Sequence, residues 1–142
     1  MKINQRIKAR RQELGMSIED MALSAKLSIA QCIDVEAYED EFVSTLTLME
    51  AKRLCEAIEL DIADVLGLDK RHDFVISGKS NFIHDNRVRL GISVGDFADH
   101  IGFDECVVSE MEGDDSYLDQ WPVELIVKVA NLLKMPPLAL IE

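Results

Sequence analysis

Cysteine, histidine and carboxylate side chains are the groups here that could hold a metal or take part in catalysis, and their spacing supports neither. Cys32, Cys55 and Cys106 are an odd set with no CxxC pair among them. Each falls where a helical period points inward or partly inward, so they read as small buried thiols. His72, His84 and His100 are scattered without ligand spacing, and neither a metal nor a cofactor is expected. The chain has no Gly-rich phosphate loop, no nucleophile-base pair and no carboxylate pair in a defined apolar frame. An enzyme is therefore not expected.

Charge is the feature that remains. The chain holds 27 acidic and 15 basic side chains, a net charge of −12. Residues 1–70 carry 9 basic and 14 acidic groups and residues 71–142 carry 6 and 13, so the halves contribute −5 and −7. No basic domain hides behind an acidic tail. Nonspecific DNA affinity comes from Lys and Arg displacing counterions along the phosphates, and this chain is poor in both. The one concentrated basic segment, Lys2, Arg6, Lys8, Arg10 and Arg11, reads as a solvated helix face plus one internal ion pair. No uninterrupted apolar run of about 18 residues exists to span a membrane, and the opening residues have no apolar signal core. A cytoplasmic protein is expected.

The elements that position these charges occur twice. Gly15, Met16, Ser17, Met21, Ala22, Ala25, Leu27, Val35 and Glu36 match Gly91, Ile92, Ser93, Phe97, Ala98, Ile101, Phe103, Met111 and Glu112 at a constant offset of 76 residues. An offset held through so many positions marks an internal duplication. Two domains of about 65 residues follow, each with a thin core: 1–68 and 81–142, joined by a connection at 69–80 whose apolar triplet Phe74-Val75-Ile76 is expected to pack between them.

Within each copy the signals are helical. Ser17 and Ser93 stand three residues before Asp20 and Asp96, the spacing of a reciprocal helix cap, which predicts helices at 18–25 and 94–101. A second start follows at Ser28, with Gln31 three residues on, and at Asp104. The turns between, Lys26-Leu27 and Gly102-Phe103, need a left-handed residue; glycine supplies it freely, and lysine at a cost of about 1 kcal/mol. A first helix is predicted at 2–13, and a shorter, less basic one at 81–90. Thr47 and Glu50 cap a helix burying Leu48, Ala51, Leu54, Cys55 and Ile58. Asp61 caps a short closing helix that ends at Gly67. In the second copy Pro122 suits a first helical turn, Ile126, Val129, Ala130 and Leu133 form the buried face, and Pro136-Pro137 start the last helix. The stretches "YEDEFVS" and "GDDSYLDQWP" read as loops.

With "LGMS" closing an Arg-rich first helix, "LS" at the turn, a Glu closing the third helix and "LMEAKRLCEAIELDIADVL" after it, residues 3–68 resemble the Cro/C1-type (Xre) helix-turn-helix family. Residues 82–142, ending "LIVKVANLLKMPPLALI", resemble it too. The resemblance implies an all-α fold of two tandem lambda-repressor-like five-helix units, with the third helix of each in the place where the family reads the DNA major groove. It also implies that Arg11 pairs with Glu36, and Arg87 with Glu112, across the first and third helices.

The departures from the family bear on function. Ile18 and Val94 stand where a phosphate-binding Gln commonly opens the second helix. The exposed third-helix positions are Ile29, Ala30, Ile33 and Asp34 in one copy and Glu105, Cys106 and Glu110 in the other, whereas base readout needs Arg, Lys, Asn or Gln. Only Gln31 and Ser109, with Arg10 nearby, remain to carry DNA binding in a transcriptional regulator of this family. The favoured expectation is a protein-interaction module: an inhibitor, an immunity or antitoxin-like protein, or a regulatory adaptor. Its basic protein partner would meet Asp34, Glu39, Asp40, Glu41, Glu105, Glu110, Asp114 and Asp115, with Phe42, Tyr117, Leu118 and Trp121 as an apolar border. A homo-oligomer stays open.

Overall fold

A computed structural model describes residues 1–68 and 78–141. The described residues form helices and turns with no strand, an all-α protein. The chain divides into two compact units, Met1–Leu68 and Asp69–Glu142. The triplet Phe74-Val75-Ile76 and the rest of the connection up to residue 77 lie outside the described residues.

The first unit runs α1 (Ile3–Glu13), α2 (Ile18–Ala25), α3 (Ile29–Ala37), α4 (Glu41–Ser44), α5 (Leu48–Ala57) and α6 (Ile62–Leu66). The starts of α2, α3, α5 and α6 are set by side-chain caps. Ser17, Ser28 and Thr47 each accept a hydrogen bond from the amide three residues on, while the Asp20, Gln31 and Glu50 side chains accept one from the cap residue's own amide. Asp61 accepts from the amide of Ala63 at 2.9 Å, and Gly67 at φ +67° stops α6. Helix α2 packs against α3 and α5, and α1 against α3. Between them Ile7, Met21, Cys32, Val35, Leu48, Leu54 and Ile58 are fully or almost fully buried.

The second unit runs α7 (Lys79–Arg89), α8 (Val94–Ile101), α9 (Glu105–Gly113), a 3₁₀ turn (Tyr117–Gln120), α10 (Val123–Leu132) and α11 (Leu138–Ile141). Ile83, Phe97, Val108, Met111, Ile126 and Leu133 form its core. The expected shorter first helix is corrected: α7 begins at Lys79, inside the stretch read as connection, and has the 11 residues of α1. Gly78 makes that start fit, with φ +100°, and a Cβ there would lie 2.7 Å from Asp115 Oδ2. The close approach lets the Ser80 amide donate to Asp115 at 3.0 Å, and the Ser80 hydroxyl donates to the same oxygen.

Both turns into the third helices are left-handed, with Lys26 at φ +58° and Gly102 at φ +77°. Lys26 bears the strain a side chain meets there. Arg53 braces that turn, donating from Nε to the Ala25 carbonyl at 2.9 Å.

The stretches read as loops are partly helical: α4 in one unit and the 3₁₀ turn in the other. The cause is burial. Phe42 in the first, and Leu118 and Trp121 in the second, are 9% exposed or less, and a single turn is what aims such side chains inward while pairing the backbone.

Candidate functional site

In each unit Arg joins the first helix to the third in the same way. Arg11 donates from Nε to Glu36 Oε2 at 2.6 Å, from Nη2 to Oε1 at 3.0 Å and from Nη1 to the Met16 carbonyl at 2.8 Å. Arg87 donates from Nε to Glu112 Oε1 at 2.7 Å, from Nη2 to Oε2 at 3.5 Å and from Nη1 to the Ile92 carbonyl at 2.9 Å. The guanidinium fork matches the carboxylate in both, more evenly in the first. Hydrogen bonding to Glu36 holds the Arg11 pKa above its usual value against the cost of burial. These pairs hold the third helix against the first and present nothing to a ligand.

With α3 and α9 anchored on that side, their opposite faces point outward. Ile29, Ala30, Ile33, Asp34 and Ala37 are exposed on α3, and at the equivalent positions of α9 stand Glu105, Cys106, Ser109, Glu110 and Gly113, also exposed. Ile29 and Ile33 each leave 48% of their surface in solvent. The outward face of α3 is apolar with an acidic edge, and that of α9 is polar and acidic.

The residues named as DNA readers divide. Gln31 is spent on structure: its Oε1 accepts from the Ser28 amide at 2.9 Å and its Nε2 donates to Glu50 Oε2 at 3.1 Å. Burial opposes charge on Glu50, but hydrogen bonds from Thr47 and Gln31, with the nearby charge of Arg53, hold its pKa below the usual range. Arg10 is likewise committed, donating to the Ile58 carbonyl at 3.0 Å and to Glu13 at 3.1 Å, with Glu59 at 3.5 Å. Of these three, only Ser109 is exposed and without a side-chain hydrogen bond among the described residues. The bonds of Gln31 and Arg10 join segments 19 and 48 residues apart, and no local pattern announces them.

The acidic residues divide too. Asp34, Asp40, Glu105 and Glu110 are exposed. Glu39 is exposed and faces Lys2 at 3.3 Å. Glu41 is half-buried and accepts from the Thr45 hydroxyl at 2.7 Å. Asp114 and Asp115 serve as local braces, bonded to Ser116 and Ser80, and those hydrogen bonds hold both carboxyls below the usual range.

The apolar border is corrected. Phe42 is fully buried, Leu118 is 1% exposed and Trp121 9% exposed. Trp121 packs on Phe103 with ring centroids 4.9 Å apart and on half-buried Tyr117 at 6.0 Å. Trp121 closes the core under the 3₁₀ turn and offers a partner little surface, while Phe103 stacked on it stays 40% exposed. Leu23, Tyr38, Met49, Val88 and Phe103 are also exposed, but Ile29 and Ile33 are the apolar i, i+4 pair on the outward face of α3, a signal present in the sequence.

Cys106 is exposed, as its outward position on the third helix implies and against its reading as a buried thiol, while Cys32 and Cys55 are buried. Burial raises their pKa values to about 11 and about 12. No group of His, Cys, Asp and Glu able to hold a metal occurs among the described residues. Among them, too, no helix is long and apolar enough to cross a membrane. Equivalent shallow grooves lie beside the first helix of each unit, one of about 190 Å³ lined by Met1, Arg6, Ala9, Arg10, Glu13 and Leu60, the other of about 160 Å³ lined by Phe82, Asn86, Lys134, Met135, Pro136 and Ala139. Neither contains a catalytic constellation. No family model, curated protein or solved structure matches the chain.

Proposed function

We propose that this chain is a tandem of two Cro/C1-type helix-turn-helix units acting as a protein-interaction module, an inhibitor, immunity or antitoxin-like protein or a regulatory adaptor, with DNA binding lost. The observation that carries the reading is the outward face of each third helix. One presents Ile29, Ala30, Ile33 and Asp34, the other Glu105, Cys106, Ser109 and Glu110, and nothing on either can form the bidentate contacts by which bases are told apart. Gln31 and Arg10, the side chains of the right chemistry, are held inside the first unit. A net charge of −12 opposes approach to phosphates and favours a cationic protein surface, whose encounter it speeds.

Two measurements test it. A mobility shift with duplex DNA at physiological salt should show no band that survives competitor; a surviving band overturns the proposal in favour of a DNA-binding regulator. Capture of a cationic protein from cells of the source should fall as salt rises, and should be lost with Asp34→Lys/Asp40→Lys or with Glu105→Lys/Glu110→Lys. None of these four side chains braces the fold, so a folded variant that captures as well as the parent also counts against the reading.

A further inference from the structure

Resting on the protein-interaction reading, we infer that the anchor of the interface is the outward face of α3 alone, and that it takes an amphipathic helix whose apolar stripe is flanked by Lys or Arg. At 100° per residue, Ile29, Ile33, Ala37, Ala30 and Asp34 follow one another around an arc of about 140°. Four adjacent apolar positions are then bounded by a carboxylate. Single exposed apolar residues are ordinary on a soluble surface. A continuous stripe at full helical period, on the side of the helix opposite its core contacts, is the shape into which another helix packs.

Charge identifies the occupant. The last turn of α3 contains no basic residue, so the partial negative charge of its carbonyl end is uncompensated from within the helix. Asp34 precedes that end and Asp40 follows it, both exposed and neither with an ion pair among the described residues. Cations on a partner helix would meet the dipole and both carboxylates while its apolar stripe covers Ile29 and Ile33. A second copy of this chain would instead bring net charges of −12 together. Helix α9 lacks the anchor, since Glu105 and Ser109 stand where α3 has the two isoleucines; its acids steer the encounter.

The probe is a synthetic helix of about 18 residues, roughly five turns, with a Leu stripe flanked by Lys. Two controls accompany it, the same peptide with Glu for Lys and one with its residues scrambled. Binding to the full chain is read by anisotropy, and the contact site by amide chemical shifts. The Lys peptide should perturb residues 29–40 and not α9. Ile29→Ser/Ile33→Ser should weaken binding about tenfold or more at every salt concentration, and Asp34→Asn/Asp40→Asn should flatten the salt dependence. Absent binding, equal binding of the scrambled peptide, or shifts over the acids of both units that survive the Ile substitutions would each overturn the inference. So would a dimer of the free protein in sedimentation that those substitutions dissolve. The charge-reversal capture above reads the broader proposal separately, so either can fail without the other.

Discussion

The two units differ least where they are most buried and most where they meet solvent. Arg11–Glu36 and Arg87–Glu112 use the same three guanidinium nitrogens on equivalent partners. Met21 and Val35 give way to Phe97 and Met111, larger but still apolar and buried. On the outward face of the third helix, by contrast, Ile29 and Ile33 stand opposite Glu105 and Ser109. A polar network in the first unit, Gln31–Glu50–Thr47, has apolar Val107, Leu125 and Pro122 at its equivalent positions. The Arg–Glu pair and the core beneath it constrain the fold; the outer face is free of that constraint.

Thiol labelling should separate the units by the widest margin. Cys106 is exposed on α9, while Cys32 and Cys55 are buried with their pKa values pushed to about 11 and about 12. A buried thiol reacts only when its unit opens, and an opening free energy of about 5 kcal/mol slows the reaction by about three orders of magnitude or more. One fast thiol and two slow ones are expected at pH 8 under native conditions, all three becoming fast in denaturant. Fast loss of a second thiol would mean that the first unit opens readily. Protection of Cys106 by a bound partner would place that partner on α9 and against the assignment to α3.

Removing one half of an Arg–Glu pair comes next. Arg11 and Glu36 leave 12% and 6% of their side chains exposed, and Arg87 and Glu112 12% each. Stripping the carboxylate from a buried guanidinium costs about 3 kcal/mol. Glu36→Ala should approach that figure, and Glu112→Ala should cost less, because the second arm of its fork is long at 3.5 Å. Urea unfolding of the full chain, with two transitions if the units melt separately, measures both. A larger loss at Glu112 reverses the ranking.

The turns give the third contrast. A Cβ at Gly102 would meet nothing within 4 Å, so Gly102→Ala adds only backbone strain, about 1–2 kcal/mol. Lys26→Gly removes the same strain from the first unit but loosens the unfolded chain, and the two nearly cancel. A loss at Gly102 well above that range would reveal a packing role for the turn.

What could be read from the chain beforehand followed from local chemistry. Ser17 with Asp20, Thr47 with Glu50 and Gly102 are signals complete within four residues, and the helices at 18–25 and 94–101 are found at those positions. The helical turns at Glu41–Ser44 and Tyr117–Gln120 have four residues each, too few to show a period, so Phe42 and Trp121 read as loop surface. Gln31 is legible as a cap partner and still reads as a base contact, since its second bond, to Glu50, depends on how α3 meets α5. Ile29 and Ile33 are the reverse case: the sequence places them among the exposed positions of the third helix, where they are found, but reads them as lost base contacts rather than as apolar anchors.

The smallest effect expected is acid sensitivity at the start of α5, and its sign follows from Glu50. The folded-state pKa of that carboxyl lies below its unfolded value, so its contribution is complete above the ordinary carboxylate value of about 4.3 and is lost as pH falls through the folded value. Glu50→Gln should therefore cost about 0.5–1 kcal/mol near neutral pH, the scale of a helix cap, and the gap from the parent should close on acidification. The second unit has Leu125 at the equivalent position, so Leu125→Gln should show no gap that changes with pH. Following both variants by circular dichroism from pH 7 to pH 3 tests the pair. A gap that stays open in acid would mean that the Gln31–Glu50–Thr47 network acts through shape rather than charge.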